Sequence, residues 1–184
     1  MKKIVSIIAM LAVVLTALAS CGQNNDDATP AGMKRASSET ASYLVYVPET
    51  WQSDGASGAA TAYYSNNDTS SVSVMTFSLG SSDASVSDWW TSFEGDFKMI
   101  YDDFEVISRE AVKLDGVDGE KIVFVGTLKH DEEAITFKFM QVAAVRQKTL
   151  SAPEAYVFTY TSSPEVYDSH LTDVQNMLDA FRFN

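Results

Sequence analysis

Glu105-Val106-Ile107-Ser108-Arg109-Glu110-Ala111-Val112-Lys113-Leu114, then Asp115-Gly116-Val117-Asp118-Gly119, then Lys121-Ile122-Val123-Phe124-Val125-Gly126-Thr127-Leu128 read as strand, turn and strand. Both flanks carry β-branched and aromatic residues and alternate in polarity over much of their length, as half-buried strands do. The turn holds two glycines free to take positive φ, which the favoured two-residue hairpin turns require. Connections this short force antiparallel pairing, and that decides the fold class.

Toward the C-terminus, His130-Asp131-Glu132-Glu133 closes a second hairpin. Ile135 to Val145 returns with Ile135, Phe137, Phe139 and Gln141 on one face and Thr136, Lys138, Met140 and Val142 on the other. A polar loop from Arg146 to Glu154 leads into a last strand, Tyr156-Val157-Phe158-Thr159-Tyr160. Ser163 and Pro164 then supply an N-cap and a proline at the first helical position. Tyr167, Leu171, Val174, Leu178 and Phe181 follow at spacings of four, three, four and three, one apolar helical stripe.

Toward the N-terminus, Ser85 with Asp88 predicts a capping box. It opens a helix whose apolar stripe is Val86, Trp89, Trp90, Phe93, Phe97, Ile100 and Tyr101. Earlier strands are expected at Tyr43 to Val47, ended by Pro48, at Thr61 to Ser65, and from Ser71 to Leu79. In the last of these the apolar parity passes from Val72 and Val74 to Met75, Phe77 and Leu79, which predicts a bulge near Val74 and Met75 or burial on both sides. The predicted order is βββαββββα, an α+β domain in which an antiparallel β-sheet is covered by helices.

The first 40 residues read differently. Lys2 and Lys3 precede an apolar run from Ile4 to Ala17, which is signal-peptide anatomy. Leu18-Ala19-Ser20-Cys21 resembles a lipobox, which implies diacylglycerol on the Cys21 sulfur and cleavage just before it. The alternative is an uncleaved signal anchor with Cys21 an incidental buried residue, but the run is shorter than the roughly 20 apolar residues a permanent span needs. Two acyl chains hold a protein stably where one does not. Residues 1–20 are thus expected to be a signal peptide, 21–40 a flexible tether and 41–184 a single domain. The reading implies an extracytoplasmic, membrane-anchored protein. Gly22, in place of an inner-membrane aspartate, favours the outer membrane in a Gram-negative cell.

Cys21 is the only cysteine, so the processed chain has no disulfide, thiol nucleophile or thiolate metal site. With Lys2 and Lys3 removed, the 13 basic residues become 11 against 25 acidic, a formal charge of 14 negative. Such a surface repels nucleic acid and anionic lipid headgroups.

Several landmarks resemble the PsbP/DcrB-like family. These are Leu44-x-Tyr46-x-Pro48-x-x-Trp51, the Asp115-Gly116 turn running into Gly119-x-Lys121-Ile122, the Tyr156 to Tyr160 strand, and a closing helix ending at Phe181-x-Phe183. The resemblance covers residues 41–184 and implies an α/β/α sandwich whose members dock, without catalysis, on larger partners. It carries no set of functional residues.

Enzyme signatures are absent: the chain holds no Gly-x-Ser-x-Gly, His-Glu-x-x-His, phosphate-loop or dinucleotide motif. His170 sits beside the apolar stripe of the last helix and is expected at the surface or its boundary. His130 with Asp131, Glu132 and Glu133 reads as a solvated acidic turn, although contiguous carboxylates suit a weakly held hard cation. Asp115 and Asp118 read as turn residues before an acid and base pair. Asn67-Asp68-Thr69 fits a glycosylation pattern without an expected use in a bacterial lipoprotein. Trp51, Tyr63 and Tyr64 are the aromatic candidates for a ligand or partner, with core packing as the alternative. The leading functional expectation is a non-enzymatic lipid-anchored protein that binds or stabilises a membrane-associated protein. Its alternative is a small-ligand or metal-binding lipoprotein, and no cofactor is expected.

Overall fold

The computed structural model describes residues 29–54, 60–80, 84–130, 133–147 and 152–184. The strands before the first helix are β1 (Met33–Arg35), β2 (Tyr43–Leu44), β3 (Tyr46–Pro48), β4 (Gln52–Asp54), β5 (Ala60–Tyr63) and β6 (Ser71–Ser78). Helix α1 (Val86–Ile100) follows, then β7 (Asp102–Leu114), β8 (Val117–His130), β9 (Glu133–Arg146) and β10 (Glu154–Ser162). A one-turn 3₁₀ helix (Tyr167–His170) leads into α2 (Leu171–Ala180) and β11 (Arg182–Phe183). The main sheet is antiparallel throughout, in the order β4-β5-β6-β10-β9-β8-β7. Two short ladders, β1 with β3 and β11 with β2, stand apart from it.

Alternation along the strands divides the apolar residues between two cores. Tyr156, Phe158 and Tyr160 of β10, Met140 and Val142 of β9, and Val72 and Val74 of β6 face one core, closed by Val174 and Met177 of α2 and by Tyr43, Val45 and Val47. Their neighbours Val157, Phe139, Ala143, Ile122 and Phe124 face the other, closed by Trp89 and Trp90 of α1. An antiparallel sheet with a helix on each face is the layered α+β arrangement expected.

The Asp115-Gly116 turn is as read, with φ of 45° and 78° at its two residues. Gly119 is not part of it. It lies inside β8, where a Cβ would strike the Ala143 carbonyl of β9, so glycine is needed there for close strand approach. The pairing of β6 with β10 is unbroken from Ser71 to Ser78, so no bulge causes the parity change: Val72 and Val74 face one core, Phe77 and Leu79 pack against the other, and Met75 between them is 50% exposed. The bulges fall instead in β7, between Asp102 and Glu105 and between Val106 and Ser108.

Four further expectations about the elements differ from the structure. Residues 33–35, assigned to the tether, pair with β3. The strand expected at Tyr43 to Val47 divides into β2 and β3 and joins the small ladders rather than the main sheet, whose edge is β4. Ser163 and Pro164 do not cap an α-helix: α2 starts at Leu171 after the 3₁₀ turn. Tertiary contacts shape that turn, since Tyr160 Oη donates to the Tyr167 carbonyl at 2.9 Å. Ile100, placed in the buried stripe, is 57% exposed.

Helix α1 has the capping box in full: Ser85 Oγ accepts from the Asp88 amide and Asp88 accepts from the Ser85 amide. Two glycines should respond in opposite directions. Gly119→Ala lowers stability by about 1–3 kcal/mol, the usual range for overpacking. Gly95→Ala, inside α1 with nothing within 4 Å of the new methyl, raises it by about 0.5–1 kcal/mol. Urea denaturation decides; a Gly119 variant as stable as the parent would mean β8 and β9 have room to spare.

Candidate functional site

The α1 face of the sheet is covered only as far as the helix extends. Trp90 stacks toward Phe124 at 5.6 Å, Phe97 toward Phe124 at 5.4 Å and Tyr101 toward Phe139 at 5.4 Å. Tyr101 then lies directly over Gly126, where a Cβ would come within 2.7 Å of its ring carbon. Beyond that point β8 and β9 continue. Gly126 pairs with Phe137 and Leu128 with Ile135, so all three apolar side chains stay on the α1 face. Strand β10 ends opposite Lys138 and β7 begins opposite Thr127, which leaves Leu128–His130 and Glu133–Ile135 as an arm paired only with itself.

This arm carries the aromatic core out into solvent. Leu128 is 38% exposed and Ile135 54%, while Met99 and Ile100 at the end of α1 are 80% and 57%. These are four of the seven large apolar side chains most exposed among the described residues. Scattered single exposures are ordinary, whereas several gathered at one end mark an interaction surface. The alternation of Ile135, Phe137 and Phe139 was legible in sequence; where α1 stops was the missing signal.

His170 departs from its expected place at the surface or its boundary. It is 6% exposed, with Nε2 2.7 Å from Asp68 Oδ2. Its ring lies 4.2 Å from that of Tyr64 and 5.7 Å from that of Trp51. Trp51 is fully buried and donates its indole N–H to Asp173 Oδ2 at 2.9 Å. Tyr63 is half-buried and Tyr64 36% exposed. Trp51 is therefore a core residue, as its alternative reading had it. The cluster clamps the 64–70 loop and the start of β4 onto α2.

Ser70 and Ser162 share a hydrogen bond of 2.7 Å close by, yet Ser70 is 1% and Ser162 2% exposed. A nucleophile so enclosed meets no substrate. Burial acts to raise the Asp68 carboxyl, but hydrogen bonds from Ser70 and His170 outweigh it and hold the group below its usual value.

Cys21, Asp131 and Glu132 lie outside the described residues, as does the His130 side chain. Asp115 is a turn residue whose Oδ2 accepts the Phe183 amide at 2.8 Å, and Asp118 pairs with Lys113. They are not arranged as an acid and base pair. Among the described residues no three His, Cys, Asp or Glu side chains gather as metal ligands. A hollow of about 530 Å³ lies between Pro30–Met33 and α2. Two of its charged groups are already engaged, Asp173 by Trp51 and Arg182 Nη1 by the Asp179 and Phe181 carbonyls.

Compared by sequence, the chain matches no family profile and no curated protein. Compared by structure, it superposes on cyanobacterial PsbP from Synechocystis at TM-score 0.52 and 17% identity, over 91% of this chain and 99% of the other. The fold is PsbP-like. LpqN of Mycobacterium tuberculosis, described as involved in cell envelope biogenesis, superposes at TM-score 0.57 and 11% identity, over 83% and 90% of the two chains. The Ran-binding protein Mog1p of Saccharomyces cerevisiae does so at 0.53 and 12%, over 82% and 95%. At such identities the PsbP-like likeness is one of fold, and function has to be argued from surfaces.

The Asp68 pairing has a pH signature. A carboxyl whose folded-state value is depressed contributes stability that is fully present above its unfolded value and is lost as pH falls through the folded one. Between pH 7 and pH 3 the parent should therefore lose more stability than Asp68→Asn in urea denaturation. Parallel losses would show that the Asp68 hydrogen bonds with Ser70 and His170 contribute nothing.

Proposed function

We propose that this chain is a lipid-anchored, non-catalytic protein of the cell envelope whose PsbP-like domain docks on a membrane-associated protein. The observation that carries the reading is the uncovered apolar end of the second core, formed by Tyr101, Phe137, Leu128 and Ile135. A chain with formal charge −12 has ample polar surface for solubility. Aliphatic side chains left partly exposed together, Leu128 at 38% and Ile135 at 54%, beside aromatic ones suit burial against another protein.

The anchor rests on the sequence. Leu18-Ala19-Ser20-Cys21 supplies an acylation site on Cys21, and among the described residues no helix is long and apolar enough to cross a membrane. The anchored domain faces the extracytoplasmic side, on the outer membrane in a Gram-negative cell. Envelope biogenesis and Ran binding, named for two of the structural neighbours, lend support by fold analogy. Catalysis finds no support in the described residues, where the Asp68 carboxylate is taken up by His170 and the Ser70 amide and the Ser70–Ser162 pair is shut away from solvent.

Cys21→Ser should move the protein from the membrane to the soluble fraction of fractionated cells, with its thermal unfolding unchanged. Retention of the variant on the membrane would sink the anchor.

A further inference from the structure

The exposed arm stands at one end of the sheet and the start of the described chain at the other. Thr29 lines the same hollow as Leu44, Tyr46 and Asn184. Asn184 in turn accepts from Arg146, the last residue of β9. That is the end of the sheet where the Asp115-Gly116 turn lies, since Phe183 donates to Asp115. From Val117 to Leu128 is 11 residues of strand, about 36 Å at roughly 3.3 Å each.

Thr29 lies eight residues after Cys21, and fully extended that stretch spans at most about 28 Å. An upright domain with its arm in the bilayer would hold the Asp115-Gly116 end of the sheet, where Asn184 borders the same hollow as Thr29, farther above the surface than that chain reaches. The tether therefore works against an upright domain with its arm in the bilayer. Its rim also disfavours anionic lipid. Asp96 lies three and four residues before Met99 and Ile100 on α1 and so beside them. Glu133 shares a face and a strand with Ile135. Nearby lysines are already paired, Lys98 with Glu94 at 2.9 Å and Lys129 with Asp102 at 3.5 Å. No cation among the described side chains pairs with Asp96 or Glu133.

From position, reach and charge together we infer that the arm surface receives a cationic, apolar-centred segment of a protein partner, at a point that stands off the bilayer. The inference rests on the lipid-anchored docking reading above and names its surface and the chemistry of its partner. Apolar side chains of the partner fill the space between Ile100, Leu128 and Ile135, and lysines or arginines meet Asp96 and Glu133. Acidic rims of this kind raise the association rate of a basic partner more than they slow its release.

The test is site-specific photo-crosslinking in living cells, with p-benzoylphenylalanine placed in the full-length chain at Ile135 or, for comparison, at Met75. Met75 is 50% exposed on the same face of the sheet, away from the arm. The expected result is one dominant protein adduct from position 135 and none from 75, its mapped contact peptide holding apolar residues flanked by Lys or Arg. Asp96→Lys with Glu133→Lys should cut that adduct by about threefold or more. Adducts from position 135 with lipid, with a second copy of this chain or with an acidic segment would overturn the inference, as would an adduct unaffected by charge reversal. A protein adduct from position 75 alone would overturn it while leaving the docking reading standing. No protein adduct from either position would remove both.

Discussion

The pairing of Phe124 with Phe139 across β8 and β9 is the contact on which the rest of the structure depends. Their rings stack 4.7 Å apart at 17°, beneath Trp90 and Phe97. Offset stacking of this kind adds about 0.5–1.5 kcal/mol beyond area burial. Its larger effect is on register. A slip of one residue between β8 and β9 would turn Phe139 away from α1 and bring the Lys138 ammonium to that face, so the aromatic pair fixes which side of each strand is which. Gly119 then finds Ala143 at close approach and Gly126 finds Tyr101, both consequences of the same alignment.

From that register the exposed end follows by topology. Helix α1 must hand the chain to β7 at Asp102, opposite Thr127. Tyr101 closes the helix with an extended conformation and donates its amide N–H to the Phe97 carbonyl at 2.8 Å, and Asp103 turns the chain with φ of 52°. The helix cannot run farther over the arm without losing that strand. Leu128 and Ile135 are uncovered because the hairpin outlasts the helix, and the alternation that built the core continues past its lid. The opposite core has no such overhang: the Trp51, Tyr64 and His170 cluster and the two short ladders close it.

Much of this was legible in the residues. Periodicity and capping found α1, and Ser85 with Asp88 forms both hydrogen bonds of the box. Asp115-Gly116 marked the hairpin because only residues tolerant of positive φ fit there. Short ladders were not legible: β1, β4 and β11 have two or three residues each, too few for a period, and depend on partners distant in sequence. His170 looked like a boundary residue because nothing local says that Asp68, 102 residues earlier, will meet it. The arm surface was invisible for a related reason. Ile135 and Phe139 are equivalent in a pattern of alternation, and only the length of α1 separates the exposed one from the buried one.

The claim that matters most is that the apolar end is surface and not core, and paired stability measurements on purified protein test it directly. Leu128→Ser combined with Ile135→Ser should change the free energy of urea unfolding by no more than about 1 kcal/mol, as surface substitutions do. Phe139→Ala, two strand repeats inward from Ile135, should cost about 3–5 kcal/mol. A double variant as damaged as Phe139→Ala would mean that Leu128 and Ile135 belong to the packed interior, and the docking surface drawn from their exposure would not exist.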